Sequence, residues 1–255
     1  MTPRLSARRL VNQLPTSRLL YKFCKHYVDH YRGENNCDMR TNGEQRYLRS
    51  LLPECTIVFD VGANTGDWTA MALDVNPALH IHCFEPSAAP FHKLRMRNFA
   101  ESQVTLNPIG LSASTGEATL HVFADSAGIN SLYVREGLSA RQASTEQVRL
   151  DTLDAYCQQL EVLHIDLLKL DVEGHELMVL QGATQMLSQG RIRHIQFEYG
   201  GTFIDARVLL KDIFKLLTST GYRLFRIHPS ELQFAASYNQ QLEDFQYQNW
   251  IAIRS

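Results

Sequence analysis

The stretch Phe59-Asp60-Val61-Gly62-Ala63-Asn64-Thr65-Gly66 decides the fold class of this chain. It closes a short apolar, β-branched run that begins at Thr56, and such a run is typical of a buried central strand. Its two glycines allow the backbone to turn sharply and to approach a ligand closely. A helical pattern follows and ends near Asn76-Pro77. The stretch therefore predicts a strand, a tight turn and a helix, which is the repeating unit of open α/β sheets.

Alternating strand and helix patterns continue beyond this turn. The runs that predict further strands are 80–84, 103–106, 165–172, 192–198, 222–227 and 249–253. Because helical patterns separate most of them, we predict an α/β fold with a mostly parallel open sheet and helices on both faces. Section 111–123 centres on Ser114-Thr115-Gly116 and predicts a β-hairpin insertion. The polar section 125–147 predicts a long loop, and long ordered loops are often functional.

The bulk composition narrows the class of protein. A chain of 255 residues is long enough for one domain with additions, and we divide it into an N-terminal helical extension, 1–52, and the α/β domain, 53–255. The net charge of −2 argues against a broad nucleic-acid-binding surface. Five scattered cysteines without a C-x-x-C pair indicate a reducing, cytoplasmic environment. No apolar run approaches the roughly 20 residues of a membrane-spanning helix.

The N-terminal segment has a charge bias of its own. Residues 1–28 include no acidic side chain and six basic ones: Arg4, Arg8, Arg9, Arg18, Lys22 and Lys25. Two interpretations remain open. The segment is either a solvated helical extension packed on the core, or a basic amphipathic helix that contacts anionic lipid and gives the protein a peripheral membrane association.

The glycine turn and a later glutamate together indicate a cofactor. A dinucleotide site has the pattern G-x-G-x-x-G, whose middle glycine makes room for a pyrophosphate, but Asn64 stands at that position here. The spacing therefore favours a cofactor without a pyrophosphate. Glu85 ends the second strand 23 residues after Gly62, at the usual place of a carboxylate that binds ribose hydroxyls. Asp60 ends the first strand, where its carboxylate could hold an amine or a water molecule near the ligand.

A second group of charged residues ends the strand predicted for 165–172. On an extended strand Lys169, Asp171 and Glu173 point to the same side, where burial is costly unless the charges are paired. His175 follows at the start of the next helix, where the helix dipole is expected to lower the imidazole pKa and favour the neutral, proton-accepting form. This pattern predicts a substrate site beside the cofactor.

Three motifs, in this order and spacing, resemble the FkbM family of methyltransferases: Phe59 to Gly66, Phe84-Glu85-Pro86, and Ile165 to Gly174. The similarity extends over about residues 55–200. It implies a Rossmann-like class I fold, S-adenosylmethionine as methyl donor, and O-methylation of a hydroxyl on a sugar, glycan or secondary-metabolite acceptor.

The same resemblance implies roles for individual residues. The methionine and ribose side of the cofactor would be lined by Asp60, Gly62, Asn64 and Gly66, and Glu85 would hold the ribose hydroxyls. Gly110 and Leu111 are candidates for the adenine contacts, because the loop after a third strand faces the same cleft.

Methyl transfer to a hydroxyl requires a positioned acceptor and a base that removes its proton. The candidate bases are Asp171, Glu173, His175 and Glu198. We favour His175 or Asp171 as the base, with Glu173 and Glu198 orienting the acceptor. The candidates for acceptor contacts are Ser131, Tyr133, Lys169 and Tyr199.

Several alternatives stay open. We expect no metal, although Asp171, Glu173 and Glu198 would offer the oxygen ligands that a divalent ion prefers. A nucleotide-dependent oxidoreductase and a non-catalytic nucleotide-binding module of the same fold are the competing functions. The sequence does not determine the acceptor, the choice between oxygen and nitrogen as methylated atom, or the oligomeric state.

Overall fold

A computed structural model describes residues 11–12, 16–123 and 127–255. The helices are α1 (Arg18–Arg32), α2 (Glu44–Leu51), α3 (Asp67–Val75), α4 (Ala88–Arg95), α5 (Leu153–Gln159), α6 (Glu176–Gln181), α7 (Thr184–Ser188), α8 (Thr202–Ala206) and α9 (Leu210–Ser219). The strands are β1 (Ile57–Val61), β2 (His80–Phe84), β3 (Val104–Asn107), β4 (Gly110–Leu111), β5 (Gly116–Phe123), β6 (Gln142–Asp151), β7 (Ile165–Leu170), β8 (Ile192–Tyr199), β9 (Tyr222–Ile227), β10 (Leu232–Ala235) and β11 (Gln248–Arg254). The basic residues Arg4, Arg8 and Arg9 lie outside the described residues.

The predicted α/β fold is confirmed. Eight strands form the main sheet in the order β10-β9-β11-β8-β7-β1-β2-β3. The pairs of β1 with β2 and β7, of β7 with β8 and of β2 with β3 are parallel, whereas β11 runs antiparallel to both of its neighbours. The strand order changes direction at β1, because β2 lies on one side of it and β7 on the other. Ligands of open α/β sheets bind at the carboxyl ends of the strands beside such a switch point.

The β insertion is present, but its strands differ from the predicted ones. β5 pairs antiparallel with β6, from Gly116 opposite Leu150 to Phe123 opposite Gln142, and β4 joins the other edge of β6 in parallel. The prediction of a hairpin within 111–123 was therefore wrong about the partner strand. The first half of β6 has mainly exposed, polar side chains, so it carries no apolar alternation that would mark it as a strand.

Residues before β1 take part in the core. Tyr47, Leu48 and Leu51 of α2 are buried in the same cluster as Val58 of β1 and Ile251 of β11. The amphipathic pattern of α2 explains this packing, because its apolar side chains recur at helical spacing. The division at residue 52 stays a prediction, and α2 supports the sheet directly.

Candidate functional site

The glycine turn brings the ends of β1 and β7 into contact. Gly62 has φ of +81°, and a Cβ atom there would lie 1.8 Å from the carbonyl oxygen of Asp171. Only glycine allows so close an approach between the two strand ends. Asn64 follows in the left-handed region with φ of 49°, a conformation that asparagine tolerates better than most residues. A Cβ atom at Gly66 would lie 2.5 Å from Cδ1 of Leu94 in α4, and the role predicted for Gly66 at the cofactor stays a prediction.

Glu85 anchors the turn from the end of β2. Its Oε2 accepts a hydrogen bond from the Asn64 backbone N–H at 2.9 Å, and its Oε1 accepts one from the Ser87 N–H at 2.8 Å. Burial raises the Glu85 pKa to about 7, although these two hydrogen bonds oppose the shift. A carboxylate has about four acceptor positions, so each oxygen can accept a further hydrogen bond from a ligand.

An inner cavity, with about 720 Å³ of empty space that includes its opening to solvent, lies at this edge of the sheet. Its lining includes Gly62, Asn64, Glu85, Gly110, Leu111, Ser131, Asp171, Glu173 and His175. The structure thus brings together the predicted cofactor residues Gly62, Asn64, Glu85, Gly110 and Leu111.

Asp60 does not face this cavity as predicted. It is completely buried and accepts hydrogen bonds from Lys169 Nζ at 3.0 Å and from Thr69 Oγ1 at 2.7 Å. Lys169 Nζ also lies 3.4 Å from Asp171 Oδ2. Lys169 is therefore a buried cation held between two carboxylates, and the pKa of its ammonium is raised because these charges outweigh the opposing effect of burial.

Glu173 departs from the predicted strand alternation. β7 ends at Leu170, and Glu173 has φ of 54°, so the chain has already left the extended conformation. Its carboxylate lies 3.0 Å from Arg135 Nη1 and does not share a face with Lys169 and Asp171. Burial and the neighbouring Asp171 raise the Glu173 pKa to about 8. Glu173 is thus paired with Arg135, and its role in orienting the acceptor stays a prediction.

His175 is held between two hydroxyl groups. Its Nδ1 lies 2.9 Å from Tyr133 Oη and its Nε2 lies 3.0 Å from Ser112 Oγ. Burial lowers the His175 pKa to about 4, so the predicted neutral form is obtained through desolvation. Because both ring nitrogens already have partners, His175 is less suited to accept a proton than Asp171, whose side chain is one-third exposed.

Two of the predicted acceptor contacts have other partners. Ser131 is 2% exposed, and its hydroxyl donates to the Glu173 carbonyl at 3.0 Å. Tyr199 is buried on the opposite side of β8 from Glu198, where it packs on Phe203 and Phe245 and cannot stack on a substrate. The alternation of β8 explains this position, since neighbouring side chains of a strand point to opposite faces.

An outer cavity with about 600 Å³ of empty space adjoins the inner one. Both are lined by Gly62, Asn64 and Asp171. The other residues that line the outer cavity are Cys37, Met39, Glu44, Ala63, Thr65, Asp67, Trp68, Lys169, Glu198 and Tyr247. Asp171 thus stands at the boundary between the two cavities.

Two hydrogen-bonded pairs include polar residues that line the outer cavity. Tyr247 donates its hydroxyl hydrogen to Glu198 Oε1 at 2.7 Å, and Gln196 donates to Glu44 Oε1 at 2.8 Å. Burial raises the pKa of Glu44 and of Glu198, and Asp171 raises both further. No sequence pattern indicated that Glu44, Trp68 and Tyr247 line this cavity. Glu44 and Tyr247 belong to no motif and reach the cavity only through the packing of α2 and β11.

The described residues have neither a cluster of metal ligands nor a membrane-spanning helix. No group of three or more histidine, cysteine, aspartate or glutamate side chains there could hold a metal ion. Within the same part of the chain, no helix combines the length and the apolar character needed to cross a bilayer.

This sheet, its glycine turn and the Glu85 anchor define a Rossmann-like class I methyltransferase. Residues 60–224 match the model of the methyltransferase FkbM domain, and the chain belongs to the FkbM methyltransferase family. The predicted family and enzyme class are therefore confirmed.

Relatives with known activity are similar over about two thirds of the chain. The hexuronic acid methyltransferase AglP of Haloferax volcanii is 29% identical over 184 residues, which cover 69% of this chain and 68% of that protein. The 2-O-methyltransferase NoeI of Sinorhizobium fredii is 24% identical over 188 residues, covering 68% of this chain and 76% of that protein. A solved TehB-like SAM-dependent methyltransferase from Corynebacterium glutamicum superposes with a TM-score of 0.45 at 9% identity, over 92% of this chain and 97% of that chain.

The buried pair of Asp60 and Lys169 leads to a stability prediction. The Asp60→Asn substitution keeps the shape of the side chain but leaves the buried ammonium with Asp171 alone. We expect the free energy of unfolding to fall by about 3–5 kcal/mol, as is usual when one partner of a buried ion pair is removed. Urea denaturation followed by circular dichroism measures this change.

Glu54→Gln is the matched control for Asp60→Asn. It breaks the exposed ion pair with Arg193, which is 3.2 Å long and has both side chains more than half exposed. Its effect should stay below about 1 kcal/mol. Equal effects of the two substitutions would contradict the importance assigned to the buried pair.

Proposed function

We propose that this methyltransferase transfers the methyl group of S-adenosylmethionine to a hydroxyl group of a neutral sugar or glycan. One observation supports this proposal above all others. Two cavities meet at a partly exposed carboxylate, Asp171, and one of them is suited to a nucleoside and the other to a polar acceptor. The name of the relative AglP refers to a hexuronic acid and that of NoeI to 2-O-methylation, so the two names agree with a sugar as acceptor and with oxygen as the methylated atom.

The inner cavity fits an adenosine-containing donor. Each oxygen of the Glu85 carboxylate accepts one hydrogen bond from the backbone and can accept another from a ribose hydroxyl. Asn64 Oδ1 is buried without a hydrogen-bond partner in the described structure, and an unpaired buried carbonyl costs free energy unless a ligand donates to it. We therefore assign Asn64 to a donor group of the cofactor, and we assign Gly110 and Leu111 to the adenine ring.

The outer cavity is suited to a polyhydroxylated acceptor. Its paired side chains, Glu198 with Tyr247 and Glu44 with Gln196, offer hydrogen-bond partners at fixed positions. The Trp68 ring, which also lines this cavity, offers an apolar face beside them. A ring of polar groups beside an aromatic face matches the alternating polar edges and apolar faces of a sugar.

Asp171 is the base that we propose. S-adenosylmethionine, when bound, supplies an activated methyl group on a sulfonium. Asp171 would take the proton of the acceptor hydroxyl as the new oxygen–carbon bond forms and the carbon–sulfur bond breaks, and S-adenosylhomocysteine would leave. Lys169 positions this carboxylate from 3.4 Å, and the exposed part of Asp171 allows the proton to pass to solvent.

The charge of the outer cavity restricts the acceptor. Among the described residues of its lining, one cation, Lys169, meets four carboxyl groups, those of Glu44, Asp67, Asp171 and Glu198. Lys169 is already shared between Asp60 and Asp171. A carboxylate or phosphate on the reacting unit would add an unpaired negative charge to this group. We therefore propose a neutral acceptor and no nucleic-acid substrate.

Binding calorimetry tests the donor. We expect the wild-type protein to bind S-adenosylmethionine and not NAD(H). We expect Glu85→Ala to raise the dissociation constant of S-adenosylmethionine at least about tenfold, because the ribose hydroxyls lose their hydrogen-bond acceptors. Glu101→Ala, which removes an exposed carboxylate, should leave this constant unchanged. Binding of NAD(H) instead would favour an oxidoreductase, and unchanged affinity in Glu85→Ala would remove Glu85 from the donor site.

Turnover measurements test the base. We expect Asp171→Asn to lower the rate of transfer of a radiolabelled methyl group at least about 100-fold, the usual contribution of a positioned base, while the affinity for S-adenosylmethionine changes only a few-fold. Asp74→Asn is the same substitution at an exposed position of α3 and should keep wild-type turnover. Wild-type turnover in Asp171→Asn would show that another group removes the proton.

The choice of acceptor tests the charge argument. A methyl-transfer screen over pairs of glycosides that differ only in a neutral hexose or its hexuronate should give kcat/KM at least about tenfold higher for the neutral member, because one uncompensated charge in a partly buried site costs about 1.4 kcal/mol or more. A preference for the hexuronate would contradict the proposed acceptor class while leaving the donor site intact.

A further inference from the structure

Helix α1 carries an apolar face that no other described part of the chain buries. The helix is 15 residues long, begins at the N-cap Ser17, ends at Gly33 in the left-handed conformation, and buries none of its side chains. Leu20, Phe23, Tyr27 and Tyr31 recur at intervals of three and four residues and therefore share one face. Phe23 is 70% exposed and Tyr31 is 72% exposed.

The opposite face of α1 is basic. Arg18, Lys22, Lys25 and Arg32 lie there, and Asp29 is the single acidic residue of the helix. Lys25 forms an ion pair with Asp29 at 2.7 Å, which leaves a net positive charge on this face. An aromatic and aliphatic stripe beside lysine and arginine is the composition of helices that lie in the interface of an anionic membrane.

The end of α1 is tied to the body of the protein. Arg226 of β9 donates a hydrogen bond to the Arg32 carbonyl, and His228 Nε2 lies 3.1 Å from the Tyr31 carbonyl. Since these contacts involve backbone carbonyls at the last turn, they hold the helix in place without covering its apolar stripe.

We propose that α1 binds the surface of an anionic lipid bilayer. The stripe of Leu20, Phe23, Tyr27 and Tyr31 would lie among the headgroups, where phenol rings are favoured because one end is apolar and the other polar. The basic side chains would remain beside the phosphates of the lipid. The net positive charge of the helix favours an anionic surface as its partner over a second copy of the chain, which carries the same charge.

The position of α1 connects this surface with the outer cavity. Cys37, which lines that cavity, follows the end of α1 by five residues. The Asn35 N–H donates to the Tyr247 carbonyl at 3.0 Å, so this short connection is also joined to the cavity wall. If α1 lies on the membrane, this geometry places the outer cavity close to the lipid surface. An acceptor glycan that is attached to a lipid is therefore favoured, an inference that rests on the proposed function.

Vesicle co-sedimentation tests the proposal without relying on methyl transfer. We expect the wild-type chain to sediment with vesicles of phosphatidylcholine and phosphatidylglycerol, more weakly at high salt, and to remain in solution with phosphatidylcholine alone. Phe23→Ser combined with Tyr27→Ser should abolish binding. Arg18→Glu combined with Lys22→Glu should weaken it at least about tenfold, since each basic residue near a charged membrane contributes about fivefold.

The matched control changes the same charge elsewhere. Lys211→Glu combined with Lys215→Glu alters two exposed lysines of α9 with the same four-residue spacing and should leave vesicle binding within about twofold of wild type. Far-ultraviolet circular dichroism and S-adenosylmethionine binding check that all variants are folded.

Two results would overturn the proposal. One is that wild-type protein ignores both kinds of vesicle or binds them equally. The other is that the wild-type protein does not bind lipid but forms a dimer in sedimentation velocity. In that case the combined Phe23→Ser and Tyr27→Ser substitutions would convert the dimer to a monomer. Because donor binding is measured separately, either result leaves the proposed methyl transfer open to its own tests.

Discussion

The ion pair of Lys169 with Asp60 is the interaction on which the candidate site depends. It lies where β1 and β7 run side by side at the switch point of the sheet, and Thr69 of α3 completes the hydrogen bonding of Asp60. A buried ion pair is stabilising only if its geometry is good and its remaining polar atoms are satisfied. Both conditions are met here, and the same ammonium group also holds Asp171. One side chain therefore connects the glycine turn, the helix that follows it and the carboxylate between the two cavities.

The surroundings of this pair are rich in carboxyl groups. Burial raises the pKa of Glu85 and Glu176 to about 7 and that of Glu173 to about 8, and each of these shifts is increased by the charge of Asp171. A cation bound among these groups would favour their ionised forms. The sulfonium of the proposed donor carries such a charge, so the electrostatics of the site agree with the proposed donor as well as with a neutral acceptor.

The sequence predicted those parts of the site that depend on local backbone geometry. Gly62, Asn64 and Glu85 were found because a turn and the end of a strand constrain which residue types can stand there, and their spacing is visible in one dimension. Glu173 was placed wrongly because the strand ends two residues earlier than its apolar pattern suggests. Tyr199 was placed wrongly because neighbouring residues of a strand point to opposite faces, so a shift of one position moves a side chain from the site into the core.

What the sequence by itself determined is therefore the strand-turn-helix unit at Phe59 to Gly66, the α/β class and the family. The first two follow from short-range periodicity and from the steric demands of glycine, and the family follows from the resemblance of three sequence motifs. Only the tertiary structure decided that Asp60 pairs with Lys169 in the core, that His175 lies between two hydroxyl groups, and that Glu44 and Tyr247 complete the outer cavity. These residues are separated by up to about 200 positions along the chain, and no local pattern encodes which strand or helix will bring them together. Their roles depend on burial and on partner charges, which exist only once the sheet has formed.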